Sequence, residues 1–395
     1  MTRTLVIRGD LASNFGYAKL LRALLPMFKK HFEKIYGVDI HYHENFANND
    51  FEHQLIKDNQ IEAILDSECG NNLIFHHTTP SNYKRVPNAI NAAYFVWETD
   101  QAPVESNWLI DFSTVDIIFY SSPHLVSLLD KYSFNGKKFH LPWPFDFTKK
   151  ISFVEDKKFN FHDLNSGEDL RLTCADICNT YGGYYLSVSS DAPRKGVSLL
   201  LSEWMEYVNH SLEKFCLILK LSTFNFSKSK KELIRQVLEL LKFKKSKNNF
   251  RILIHLENLD DSHMNTLYQK CRFCLSTSLG EGFGGTILET ILNERPVLVP
   301  RHTSFEYLIP KDYKHVIKHR NTTINFTENT PYSPSSMWGM IENNSLFNQL
   351  IELDKREFNS FDNDVSDLKK FTRAVCGYEK VQLLFDKYFN EIINK

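Results

Sequence analysis

Apolar residues along the chain fall into short runs separated by stretches of helical spacing. TLVIRG (4–9) is a run of strand type, and from Phe15 to Tyr36 apolar residues recur at Leu20, Leu21, Leu24, Leu25, Phe28, Phe32 and Ile35. That three–four spacing predicts an amphipathic helix, bent at Pro26 where the ring removes a backbone N–H. VDIHYH (38–43), NLIFHH (72–77), AAYFVW (92–97) and VDIIFY (115–120) follow as strand candidates, with helix-like stretches between several of them. Short apolar runs alternating with helices read as a parallel sheet covered on both faces.

The pattern breaks at LPWPFDF (141–147), which carries two prolines, and the next 25 or so residues are expected to be polar and irregular. A second series then begins. YYLSVS (184–189), FCLILKL (215–221), RILIHL (251–256), FCLSTS (273–278) and PVLVP (296–300) read as strands. Helices are predicted around 196–208, 229–245, 262–270 and from about Gly284. The chain therefore divides into an α/β domain at 1–146, a second at 147–375, and a terminal amphipathic helix at 376–395 expected to pack back toward the first. Two doubly wound, Rossmann-like domains of this kind are expected to bind ligands in a cleft at the C-terminal edges of their sheets.

Composition narrows the function classes. A chain of 395 residues that is 42% hydrophobic and 24% charged has material for two buried cores. A net charge of -1 gives no global basic field, which argues against nucleic acid as a partner. The N-terminal MTRTLVIRGDL lacks the apolar core of a signal peptide, and no apolar run reaches the roughly 18–20 residues a membrane span needs. A cytoplasmic protein is expected. Seven cysteines, an odd number, argue against a disulfide framework. Cys271 and Cys274 form a CxxC that runs into an apolar strand, where cysteine acts as a small hydrophobe rather than a zinc ligand.

The chemistry concentrates in GEGFGGTILE (280–289), four glycines in six residues bracketed by Glu281 and Glu289. In CRFCLSTSLGEGFGGTILETILNERPVLVP it reads as strand, glycine-rich loop, helix, strand. Glycines at 282, 284 and 285 let backbone N–H groups approach an anion at the positive end of the helix. Glu289, about a turn further on, suits a ribose diol. A dinucleotide fingerprint fits poorly, because the spacing is not GxGxxG and the loop follows a late strand.

The segment EGFGGTILE resembles the E-x7-E motif of retaining GT-B glycosyltransferases, especially family 4. SVSSDAPRKGVSLLLSEW resembles that family's phosphate-binding turn, and GDLASNFGYAKLLRAL its first glycine loop. FVWETDQAPVESNWLIDFSTVDIIFYSSPHLVSLL is similar to a segment of members that act on bacterial surface glycans. The resemblance implies a GT-B fold and transfer of a hexose-type sugar from a UDP- or GDP-linked donor to a hydroxyl acceptor, a glycan in surface polysaccharide assembly. It implies catalytic roles for Glu281, Arg194 and Lys195. Donor contacts are implied for Glu289, Phe283, Gly284, Gly285 and Gly16. On the acceptor side the candidates are Glu98, Asp100, His77 and Asn14. Beyond the nucleotide-sugar co-substrate it implies no cofactor and no metal; no Asp-x-Asp stands at a strand end to hold one.

The sequence departs from the family in two places. Ser189 stands where many members carry an arginine, leaving Arg194 to supply that charge. Glu98 ends the strand after which many members place a histidine; it reads as a carboxylate base or as a loop residue. His76 and His77 read as core histidines or as cleft-facing groups. Lys19, Arg22, Lys29, Lys30 and Lys34 on the first predicted helix suit either a solvated face or peripheral contact with an anionic membrane. A catalytically silent GT-B partner of another glycosyltransferase is the alternative class.

Overall fold

The computed structural model describes residues 3–11, 16–40, 54–55, 57, 60–67, 72–222, 228–241, 249–326, 330–356 and 361–393. The chain forms two compact units: Met1–Phe147 with Pro331–Ser336 and Arg373–Lys395, and Thr148–Thr330 with Met337–Thr372.

The first unit holds β1 (Thr4–Gly9), α1 (Gly16–Phe28), β2 (Lys34–Asp39), β3 (Gln54–Leu55), α2 (Ile61–Ser67) and β4 (Leu73–His77). After these come β5 (Ile90–Phe95), α3 (Trp108–Ser113), β6 (Ile117–Tyr120), α4 (Leu125–Lys131) and β7 (Lys137–His140). Its seven strands are all parallel, in the order β3-β2-β1-β4-β5-β6-β7. The central strands are apolar throughout because helices cover both faces; every residue of β4 is buried. The edge passes close at one point: a Cβ on Gly9 would lie 2.1 Å from the carbonyl oxygen of His77, so only glycine lets β1 and β4 end side by side.

The first helix is shorter than its apolar spacing predicts. It stops at Phe28, within a turn of Pro26, and the N–H of Glu33 then bonds the carbonyl of Arg3 at 3.0 Å to start β2. Phe32 keeps its buried place from a turn rather than from a helix. The strand expected at 38–43 accordingly begins four residues earlier, at Lys34, and 41–43 lie outside the described residues.

The second unit contains β8 (Phe159–Asp163), β9 (Asp169–Leu172), α5 (Cys174–Tyr181), β10 (Tyr184–Ser190), α6 (Val197–His210), β11 (Cys216–Ser222), α7 (Lys230–Leu241) and β12 (Ile252–His255). It continues with α8 (Asp261–Lys270), β13 (Cys274–Leu275), α9 (Gly285–Leu292), β14 (Val297–Pro300), α10 (Ser304–Leu308) and β15 (Val316–Ile317). A hairpin of β16 (His319–Thr323) and β17 (Met337–Ile341), then α11 (Ser345–Asp354) and α12 (Asp362–Cys376), assigned to this unit as far as Thr372, complete the series. The main sheet runs β15-β14-β13-β10-β11-β12-β8-β9, parallel except for the antiparallel β8 and β9 at one edge. That hairpin lies where an irregular linker was expected. Phe159 and Phe161 alternate inward to bury, and Gly167 turns the chain at φ +74°.

Leu217, Leu219 and Leu221 of β11 face one core with Leu200, Trp204 and Val237 of α6 and α7. Residues of the other parity face the layer of α5, α8 and α9. Cys271 and Cys274 are buried there, and burial pushes the Cys274 thiol up to about 12. The C-terminal helix α13 (Tyr378–Ile393) belongs to the first unit, where Val381, Phe385 and Phe389 pack against Phe28 of α1.

Candidate functional site

The catalytic candidates meet at the C-terminal ends of two adjacent strands in the second unit. After β10 the chain makes a single 3-10 turn, Pro193–Lys195, closed by Gly196 at φ +64°. A Cβ at 196 would lie 2.3 Å from the carbonyl oxygen of Thr277, so glycine alone lets the turn touch the loop after β13. Three bonds fasten that contact. Leu279 N–H donates to the Arg194 carbonyl at 2.7 Å, Thr277 Oγ1 to the Gly196 carbonyl at 2.9 Å, and Ser278 Oγ to the Arg194 carbonyl at 3.3 Å.

This pinning of the turn brings Lys195 Nζ to 2.5 Å from Glu281 Oε1 and Arg194 Nη1 to 3.5 Å from Glu281 Oε2. Arg194 Nη1 also donates to the Gly280 carbonyl at 3.0 Å. The three side chains are between 11% and 20% exposed, so their attraction is little screened. Burial alone would raise the Glu281 carboxyl; the Lys195 and Arg194 charges, with hydrogen bonds from Lys195 and Ser278, outweigh it and hold the group at about 2. Ser189, where the family's arginine would stand, is half-buried and donates to the Ser190 carbonyl at 3.1 Å.

Gly284 caps α9 at φ +94°, where a Cβ would lie 2.6 Å from the Phe305 ring. The N–H groups of Gly284, Gly285 and Thr286 have no backbone acceptor among the described residues, as the first turn of a helix requires. Phe283 is buried beside them. Glu289, one turn along, accepts from the buried Tyr268 hydroxyl of α8 at 2.9 Å.

Sequence reasoning missed the residues that hold Glu281 from behind. Thr303 Oγ1 accepts from the Glu281 N–H at 3.0 Å, and Thr303 itself sits at φ 45°, ψ -127°, a costly conformation for a β-branched residue. His302 Nε2 donates to the Ser278 carbonyl at 2.9 Å, so its Nδ1 accepts from the Thr303 hydroxyl at 3.2 Å. Gly339 crowds that ring, with a Cβ position 2.0 Å from it. Only Gly339 left a trace in the sequence, as a glycine within an otherwise apolar strand.

In the first unit, Gly16 opens α1 and is exposed; a Cβ there would meet Trp143 at an ordinary 4.0 Å. His77 is fully buried at the end of β4, stacked on Phe75 at 6.5 Å and tilted on Tyr94 at 6.0 Å. Glu98 is half-buried after β5, and Asp100 is exposed and accepts from the Thr99 hydroxyl at 3.2 Å. Asn14 lies outside the described residues. His124 steadies the segment that carries Glu98. Its Nε2 donates to the Trp97 carbonyl at 3.1 Å and its Nδ1 accepts from Ser122 at 3.0 Å, while burial pushes it down to about 4 and keeps it neutral.

No protein-family model matches the chain, and no curated protein sequence does. Solved structures do. Anabaena Alr3699/HepE in complex with UDP and glucose superposes with a TM-score of 0.65 at 10% identity, covering 98% of this chain and 99% of that one. Sucrose-phosphate synthase from Thermosynechococcus elongatus gives 0.63 at 12% identity over 100% of both chains. A glycosyltransferase from Rickettsia africae ESF-5 gives 0.64 at 13% over 100% and 99%. The chain has the GT-B fold.

In a GT-B chain each unit is a Rossmann-like sheet, and the C-terminal edge of such a sheet is the ligand side. Arg194, Lys195 and Glu281 stand on that edge of the second unit. Among the described residues no group of three or more His, Cys, Asp or Glu side chains is placed to hold a metal. None of the described helices is long and apolar enough to cross a membrane.

Proposed function

We propose that the chain is a retaining glycosyltransferase that moves a hexose-type sugar from a UDP- or GDP-linked donor to a hydroxyl of an acceptor glycan. The observation that carries this reading is the cluster of Lys195, Arg194 and Glu281, whose turn is pinned through the Arg194 and Gly196 carbonyls beside the glycine-capped start of α9. HepE, a structural neighbour, binds UDP and glucose.

Cleavage of the bond between the sugar's anomeric carbon and the diphosphate leaves negative charge on the phosphate oxygens. Lys195 and Arg194 supply fixed cations there, and the N–H groups of Gly284 and Gly285 supply dipoles. Both cations are already held in place, so little reorganisation accompanies the reaction. The acceptor hydroxyl forms the new bond on the face the diphosphate leaves, and its proton passes to the departing phosphate oxygen. Glu281 faces the transferred sugar's hydroxyls, and Glu289, oriented by Tyr268, takes the ribose diol. Side-chain charge takes the place of a divalent metal in this scheme, so EDTA should leave turnover unchanged. Removing either cation should cost about a hundredfold in rate.

The setting that fits this activity is surface-polysaccharide assembly in the cytoplasm, with the basic residues near α1 against the inner face of the membrane. Incubation with a panel of UDP- and GDP-sugars, followed by mass spectrometry of bound and released nucleotide, tests the reading. Release of nucleotide that Glu281→Ala and Lys195→Ala abolish supports it. If no donor is turned over while nucleotide sugars still bind, the silent-partner alternative takes its place.

A further inference from the structure

Thr303 departs from its local preferences in two ways at once. Its φ of 45° and ψ of -127° lie close to those of the first central position of a type II′ turn, and the Phe305 N–H closes that turn on the His302 carbonyl at 2.9 Å. Glycine is the usual occupant of this position, because a Cβ there crowds the backbone, and a β-branched side chain suits it least. Thr303 also directly precedes α10, where a threonine hydroxyl ordinarily accepts from an N–H of the first helical turn. Here the hydroxyl makes no such bond.

The hydroxyl serves Glu281 instead. Thr303 Oγ1 accepts from the Glu281 N–H at 3.0 Å, and the next residue, Ser304, donates its N–H to the Glu281 carbonyl at 3.4 Å. Two consecutive residues of one strained turn thus hold both backbone polar groups of Glu281. The direction of the hydrogen bonds is set from behind. The Ser278 carbonyl can only accept, so His302 Nε2 carries the proton toward it. Nδ1 then takes the Thr303 hydroxyl hydrogen, and the Thr303 oxygen turns a lone pair to Glu281. Gly339 keeps the ring in place, since a Cβ there would lie 2.0 Å from it. The strain and the forgone helix cap have one beneficiary, the backbone of Glu281, and a residue kept against both local preferences points to the site it supports.

We propose that Thr303 is a positioning residue of the transfer reaction, whose hydroxyl fixes the backbone from which the Glu281 side chain reaches the transferred sugar. The inference rests on the glycosyltransferase reading of this site. Lys195 and Arg194 draw the carboxylate from one side, while Thr303 and Ser304 hold its backbone from the other. When a diphosphate engages the two cations, the carboxylate loses part of their attraction, and the bond to Thr303 then keeps Glu281 where the sugar meets it. Thr303 touches no reacting atom. Stability given up at residue 303 is exchanged for the placement of residue 281, as at other sites where function holds a residue away from its most stable choice.

Three substitutions in the full chain separate the hydroxyl from the strain. Thr303→Gly removes both, Thr303→Val removes the hydroxyl and keeps the strain, and Thr303→Ser keeps the hydroxyl. Thermal unfolding should place the glycine variant about 2–8 °C above the valine variant. Nucleotide release from UDP-glucose, UDP-N-acetylglucosamine and GDP-mannose gives kcat and KM for each donor that is turned over. The glycine and valine variants should lose kcat alike, about 10- to 100-fold, and the serine variant should stay within about threefold of the unaltered protein. Donor KM should change by less than about threefold in all three, because the cations are pinned through Gly196 and Leu279 rather than through Thr303. A glycine variant with full kcat overturns the inference and leaves the transferase reading intact. So does a kcat that follows unfolding temperature across the variants, or a serine variant no better than valine. If the unaltered protein releases nucleotide from none of the donors, the transferase reading falls and this inference with it.

Discussion

Glu281→Gln separates three properties that the cluster joins. Glutamine keeps the shape of the side chain and removes its charge, leaving Lys195 and Arg194 facing one another across a site that water reaches poorly. The carboxyl stands at about 2 against an ordinary 4.5, a difference worth about 3 kcal/mol of folding stability. Breaking a buried ion pair from one side costs about 3–5 kcal/mol, in agreement. Because the folded-state value is depressed, this stability is fully present above about pH 4.5 and is lost as the pH falls through 2.

Chemical denaturation of the second unit should therefore show Glu281→Gln about 3 kcal/mol less stable at pH 7. The gap between it and the unaltered protein should close as the pH falls toward 2. The double variant Lys195→Met/Glu281→Gln should recover most of the loss, since it leaves Arg194 bound to the Gly280 carbonyl and no buried pair half-broken. Pyrophosphate affinity should rise in Glu281→Gln, because the carboxylate no longer competes for the two cations, while sugar transfer falls. A variant that loses stability and pyrophosphate affinity together would refute the argument, because the cations would then depend on Glu281 for their placement rather than on the Gly196–Thr277 contact.

Three further outcomes follow from the same structure. Gly196→Ala meets the Thr277 carbonyl and a left-handed φ that costs about 1–2 kcal/mol in itself; by moving Lys195 it should lower kcat about a hundredfold with the donor still bound, read by steady-state kinetics. Phe389→Ala removes a ring that meets Phe28, Phe119 and Phe385, and should cost about 3–5 kcal/mol in thermal or urea unfolding of the first unit, leaving the unfolding of the second unchanged. Lys220→Met should stabilise the protein by about 3 kcal/mol at pH 7, since the buried ammonium titrates near 8 in the folded chain and at 10.5 when free. The gain should fade between pH 8 and 10.5, because the unaltered chain sheds its extra cost as the unfolded lysine also loses its proton; a gain constant across that range would contradict the burial argument.

The βα alternation was legible because buried parallel strands are continuous apolar runs, and β1, β4, β10 and β11 appear within a residue or two of their expected ends. The end of α1 was not legible. Phe32 and Ile35 continue the helical spacing after the helix has stopped, and only the bond from Glu33 to Arg3 reveals the turn. The β8–β9 hairpin was hidden because FNFHD alternates too briefly to stand out from a polar segment. At the site, the glycine loop and the Arg194-Lys195 pair were readable as motifs. Thr303, His302 and Tyr268 were not, because each acts through a partner between 21 and 24 positions away along the chain. Lys220 looked like one polar residue in an apolar strand; that the ladder sets it beside His255 is something no spacing within either strand conveys.

The two polar clusters at the strand ends of the second sheet differ in how their groups are partnered. Lys195 and Arg194 flank Glu281, so the arrangement carries one net positive charge before any anion arrives. Lys220 and His255 do not complete one another, and each retains an unmet hydrogen-bonding group. A protein that only needed a stable fold would gain from replacing the second pair with apolar residues and would lose little by doing so. In the proposed reading the diphosphate meets the net positive charge that Glu281 leaves on the two cations.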